Sequence, residues 1–163
     1  MSTWHNSDGL FIRFGTKEAE VGVAGEYVTD GPQRMVELTI SALTALGTGA
    51  AIQDDTALIP KGARIERVEV ITTTAVTSGG AAVLNIGLIR TDRTTELDYD
   101  GLVAALALAS FNAAGETVSL TNGSTSAGAL IGTTLANNGL LTADFDTAAF
   151  TAGAIKVRVY FSH

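Results

Sequence analysis

The sequence predicts an all-β protein, an antiparallel β-sandwich of roughly seven to nine strands. Three observations carry that reading. Long stretches alternate with period two: Val68, Val70, Thr72, Thr74 and Val76 share one face against Glu69, Ile71, Thr73 and Ala75. Near the end, Ile155, Val157, Val159 and Phe161 alternate with Lys156, Arg158 and Tyr160. A half-buried strand needs this alternation, because successive side chains point to opposite sides of the sheet. Glycine, asparagine and aspartate clusters punctuate the stretches at turn spacing. Finally, the chain is 46% hydrophobic but only 6% aromatic, so its core is built from small and branched side chains that suit sheets packed face to face. The same alternation is compatible with a closed barrel.

Composition bounds the rest. A chain of 163 residues buries one sizeable core. Its net charge of −7, with no run among the 10 basic residues, speaks against nucleic acid as a direct partner. There is no cysteine, which removes disulfides and thiolate metal sites. No apolar stretch reaches the roughly 20 residues that cross a bilayer, so no membrane partner is expected. The first residues lack a basic segment followed by an apolar run, which predicts a protein made where it acts or carried there by a partner.

Residues 1–30 form an N-terminal arm or strand segment, and residues 31–163 a single sandwich domain. In the arm, Gly9 to Gly15 encloses a short strand with Leu10, Ile12 and Phe14 on one face, and Trp4, Phe11, Phe14 and Tyr27 make it rich in aromatics. Asp30-Gly31-Pro32 is a turn. Val36, Leu38, Ile40 and Ala42 then alternate inward against Glu37, Thr39 and Ser41. Gly47 to Asp55 reads as a loop, and Pro60 sits where a strand begins, since proline cannot donate to a ladder. Val68–Val76, the reversal at Ser78-Gly79-Gly80 and Ala82–Ile89 read as one long antiparallel hairpin. Leu102 to Ser110 is dense in Ala and Leu, with Asp98 or Asp100 placed to cap it, and predicts one short helix near residues 99–110. Thr117–Leu120, Gly128–Gly132 and Leu140–Phe145 are further short strands, and no exact repeat is visible.

Chemistry finds little purchase. The two histidines, His5 and His163, stand at opposite ends, and no Gly-x-Ser-x-Gly elbow occurs. Gly47-Thr48-Gly49-Ala50-Ala51 begins like a dinucleotide fingerprint but has Ile52 where the third glycine or alanine belongs. Asp98 with Asp100, Asp144 with Asp146, and Asp54-Asp55 offer paired carboxylates, but none completes a twelve-residue calcium loop. Helix capping accounts for the first pair and a solvated turn for the second; two such clusters meeting in space would be a candidate for a structural cation. The expectation is no catalysis, no cofactor and no metal.

Leu58-Ile59-Pro60-Lys61-Gly62-Ala63-Arg64-Ile65, then Val68-Glu69-Val70, Ser78-Gly79-Gly80, Leu84-Asn85-Ile86-Gly87, Asp100-Gly101-Leu102 and Thr151-Ala152-Gly153-Ala154-Ile155-Lys156-Val157-Arg158-Val159-Tyr160 together resemble a pattern in small virion proteins of tailed bacteriophages. The likeness spans about residues 35–163. It implies a capsid decoration (cement) protein: a jelly-roll-like sandwich, a homotrimer, made in the host cytoplasm and bound to major capsid protein on the outer surface of the virion. It brings no catalytic residue with it. For such a protein the aromatic arm is the expected partner contact, through Trp4, Phe11, Ile12 and Phe14, because interfaces favour large rigid side chains and an arm can add a strand to a neighbour. The alternative is a host receptor- or glycan-binding module of a phage head or tail that uses loops such as Asn112–Gly128, and a third is a structural neck or tail protein.

Overall fold

In this computed structural model residues 33–163 are described in full; before them only the backbone of two strands is described, β1 (Ser2–His5) and β2 (Phe11–Phe14). The chain divides into two units, Met1–Gly31 and Pro32–His163. In the first, β1 and β2 pair antiparallel with Trp4 opposite Ile12 and His5 opposite Phe11.

In the second unit a ribbon of strands folds back along its length. Its first half runs through β3 (Gln33–Ile40), β4 (Ala51–Ile52), β5 (Leu58–Ile59), β6 (Arg64–Ser78) and β7 (Val83–Arg90). The second half returns through β8 (Glu96–Ala107), β9 (Thr117–Thr121), β10 (Gly139–Asp146) and β11 (Phe150–Ser162). Each strand going out pairs antiparallel with its counterpart coming back: β3 with β11, β4 and β5 with β10, β6 with β9, and β7 with β8. Rolling this ribbon up brings β11 beside β6 and β10 beside β7. The result is a sandwich wound as a jelly roll, with a four-stranded sheet in the order β3-β11-β6-β9. The other sheet runs β4-β10-β7-β8, with β5 also on β10.

The inward faces meet as the alternation requires. Leu38, Val68, Val70, Ile155, Val157 and Val159 of one sheet are buried against Leu84, Ile86, Leu88, Leu102 and Leu141 of the other. Burying each of these side chains stabilises the fold by about 1.5–3 kcal/mol. Phe111 is fully buried and meets Phe150 edge-on at 6.0 Å, and Phe145 meets Phe150 in the same way at 6.2 Å. Thr72, an inward polar residue, is satisfied by donating its hydroxyl to the Phe111 carbonyl (2.7 Å).

Four sequence expectations need correction. The helix near residues 99–110 is absent: those residues lie in β8, followed by one short 3-10 turn at Leu108–Ser110. A helix of that length is marginal in water, whereas β7 offers an edge whose buried backbone groups must be paired. Asp98 and Asp100 are therefore strand residues and cap nothing. The β6–β7 hairpin is likewise absent, because the two strands lie in different sheets and Ser78–Ala82 crosses over the end of the sandwich. Thr74 is exposed, since register shifts in the β6–β11 pairing around Ala154 break the alternation there. Gly128–Gly132 is a turn, although Gly132 and Leu135 just beyond it donate backbone bonds to Ile65 and Ala63.

Candidate interaction surfaces

The outward face of the four-stranded sheet is a ladder of cross-strand charges. Glu37 on β3 lies opposite Arg158 on β11 and accepts from Arg158 Nε (2.8 Å) and Lys156 Nζ (2.9 Å). These two hydrogen-bonded cations hold its carboxyl below the usual glutamate value. Next along β11, Tyr160 donates its hydroxyl to Glu69 (2.9 Å), and the Arg67 guanidinium lies 4.0 Å from the centre of the Tyr160 ring, a cation–π stack. Ser162 donates to Glu66 (3.0 Å). The strands of this sheet carry five cations (Arg34, Arg64, Arg67, Lys156, Arg158) and three carboxylates (Glu37, Glu66, Glu69).

The other sheet carries the opposite charge: its strands hold Glu96, Asp98, Asp100, Asp144 and Asp146 against Arg90. Its outward face is partly buried, and a polar network sits there. Asn85 donates through its amide nitrogen to Asp144 (2.9 Å) and Asp146 (2.8 Å), and its oxygen accepts the Ala105 N–H (2.8 Å). Ala105 has φ +49° at a bulge of β8, a position that costs an L residue and is held by this bond. Burial raises the Asp144 carboxyl above the ordinary aspartate value of 3.8; the Asn85 bond opposes this, while the charges of Asp146 and Asp100 add to it. Asp98 is raised as well, by burial and by its bond with Asp100. A second bulge folds β8 back over β7, where glycines allow close approach, Gly87 and Gly128 to backbone and Gly101 to a side chain. A Cβ on Gly87 would collide with the carbonyls of Asp98 and Tyr99, and one on Gly128 with the backbone of Asp100 and Gly101. One on Gly101 would lie 2.6 Å from Leu130.

The structure thus brings together the two acidic pairs that lie 44 or more residues apart in sequence, Asp98/Asp100 and Asp144/Asp146. Among the described residues, however, no three Asp, Glu or His side chains are close enough to hold a metal ion. Asp54 instead accepts from the backbone and hydroxyl of Thr56 (both 2.7 Å). Gly47–Ala51 leads into β4, not into a helix. His163 lies 3.0 Å from the Lys61 carbonyl, against the turn at Gly62. The side chains of Trp4, Phe11, Ile12 and Phe14 lie outside the described residues, as do Leu10 and Tyr27; the backbone places the four in β1 and β2. Sequence reasoning missed Asn85, whose one visible signal is that it interrupts the apolar run from Val83 to Ile89.

No known protein-family profile matches the chain, and no curated protein matches it in sequence. Solved structures do. A chain of the Ralstonia phage GP4 capsid superimposes with a TM-score of 0.55 at 17% identity, covering 87% of this chain and 92% of that one. A chain of the cyanophage Pam1 capsid asymmetric unit gives 0.54 at 18%, covering 91% and 96%. A chain of the acid-stable capsid of Helicobacter pylori bacteriophage KHP30 gives 0.51 at 13%, covering 80% and 87%. What this protein shares with these three chains of phage capsids, over most of its length, is the fold.

Proposed function

We propose that the protein is a non-catalytic component of a phage virion that decorates the outer surface of the capsid and stabilises it by bridging neighbouring major capsid protein subunits. The observation that carries this reading is the fold likeness over 80–91% of the chain to chains found in three phage capsids. The charge difference between the sheets fits such a role, because a module with one strongly acidic sheet and one nearly balanced sheet can bind a surface in a single orientation. Its cross-strand ladder and tightly packed bulges supply the rigidity that a bridging module needs, and many modest contacts repeated over a lattice add up through avidity.

In this reading the protein is a homotrimer, and Trp4, Phe11, Ile12 and Phe14 make the contact with the capsid shell. Purified protein should scatter light with three times the 16.7 kDa protomer mass and pellet with capsids at a fixed ratio. Deleting residues 1–15 should abolish pelleting and leave the circular dichroism and melting of the sandwich in place. A monomer that ignores capsids but binds host cells would replace this reading with that of a receptor-binding module. Unchanged pelleting after the deletion would move the contact from the arm to the sandwich.

A further inference from the structure

At one end of the sandwich three connections meet around an open cleft of about 260 Å³, lined by Lys61, Arg90, Thr91, Asp92, Asn137 and Asn138. Lys61 lies in the turn from β5 to β6, Arg90 ends β7, and the two asparagines precede β10. Arg90 continues the inward alternation of Leu84, Ile86 and Leu88, is half-buried, and lines the cleft.

The donors here are unmatched. Arg90 Nε is buried and, among the described residues, has no hydrogen-bond partner. The neighbouring Arg93 pairs with Asp55 at 3.0 Å, yet among the described residues no carboxylate pairs with Lys61 or Arg90. The Asn138 oxygen already accepts the Lys61 N–H (2.7 Å), which leaves its NH₂ group as the part to be satisfied. Asp92, the one acid in the lining, is spoken for. Its oxygens accept from the backbones of Thr94 (2.9 Å) and Thr95 (2.8 Å) and from the Thr95 hydroxyl (2.7 Å), which lowers its pKa to about 2. A buried N–H without an acceptor is costly, and a ligand oxygen is one way to supply it.

We propose that this cleft takes one carboxylate, presented by an acidic side chain of a protein partner. The cations Lys61 and Arg90 against Asp92 leave a single net positive charge, which a carboxylate neutralises and a doubly charged phosphate overshoots. A guanidinium flanked by amide donors also matches the two coplanar oxygens of a carboxylate. The identity of the carrier rests on the reading that this protein packs against another, but the site itself does not.

The test is an NMR titration of the intact protein, following the Arg90 Nε–H and the Asn137 and Asn138 side-chain amides. Sodium acetate is compared with sodium phosphate and with sodium chloride at equal ionic strength. Acetate should shift these signals along a saturating curve, with phosphate weaker and chloride flat. Arg90→Gln should weaken acetate about tenfold, the effect of losing a charged hydrogen bond. Lys61→Gln, on an exposed side chain whose loss leaves the fold intact, should weaken it roughly threefold. Equal linear responses to acetate and chloride, or a Lys61→Gln protein that saturates as before, would overturn the proposal. Capsid pelleting by the same two variants is read separately. Acetate binding without any loss of pelleting would keep the site but discard a capsid side chain as its ligand.

Discussion

The two sheets of this sandwich are built on different principles. The four-stranded sheet is held by repetition in its middle: from Ile155 to Tyr160, β11 pairs with β3 and β6 without a break, its register shifts lie toward the ends, and its outward charges pair with cross-strand neighbours. The other is held by exceptions. Its β7–β8 pairing is interrupted by bulges, two of its strands are only two residues long, and a buried Asn-Asp cluster covers its outer face. A regular ladder spreads its stability over many equivalent contacts. A bulged one concentrates it at the few residues that make the bulges possible.

That contrast predicts where the molecule is fragile. The largest effect should come from Gly87→Ala, which drives a Cβ into the backbone of β8 where no flexible side chain can yield. A loss on the order of 3 kcal/mol is expected. Gly79→Ala, in open space, should stay within about 0.5 kcal/mol of the parent in the same chemical denaturation experiment. Equal stability of the two variants would show that β8 does not lie over β7 as described.

Asn85→Ala comes next. It strands the Ala105 N–H and removes the donor shared by Asp144 and Asp146, at a cost of about 2–3 kcal/mol. Backbone amide exchange should accelerate around Ala105 and remain unchanged in β11. Uniform acceleration would mean that the two sheets melt as one unit with no local weak point.

The smallest effect is in pH, and its sign should differ between the sheets. Asp144 has its pKa raised in the fold, so the folded state binds its proton more tightly than the unfolded chain does. Its contribution therefore falls as pH climbs from 3.8 through the raised folded value. Glu37 is lowered, so its contribution is present above 4.5 and is lost as pH falls through the lowered folded value. Melting temperatures of Asp144→Asn and Glu37→Gln, followed against pH, should diverge from the parent in opposite directions: the first gains near neutrality, the second loses there. The Glu37→Gln difference should fade in about 1 M salt, where the screening length is roughly 3 Å. Two curves that move together would remove the electrostatic distinction between the faces.

The same contrast explains what was legible. Alternation marked β3, β6 and β11 and sorted most of their side chains into inward and outward sets, because period two is a local property that each strand carries alone. It could not say that β6 and β7 part company at Ser78. A glycine-rich reversal looks the same whether the next strand pairs at the edge or crosses to the facing sheet. Nor could composition place Leu102–Ser110. Ala and Leu favour a helix locally, but the open edge of β7 decided for a strand, and Ala105 accepts an unfavourable φ to fit. Gly128 was read as the start of a short strand and instead sits in a turn where its backbone presses on that of Asp100 and Gly101.

By itself, then, the sequence determined the class: an aromatic-poor, cysteine-free sandwich of alternating strands with an acidic net charge, because burial pattern and composition are written residue by residue. The resemblance already implied a jelly-roll-like sandwich; the tertiary structure alone decided which strands pair within it, the difference in charge between the two sheets, and the meeting of Asn85 with Asp144 and of Lys61 with Arg90. Each of these depends on which distant strands become neighbours, and that is settled by the shared burial of a core to which every strand contributes only half a face.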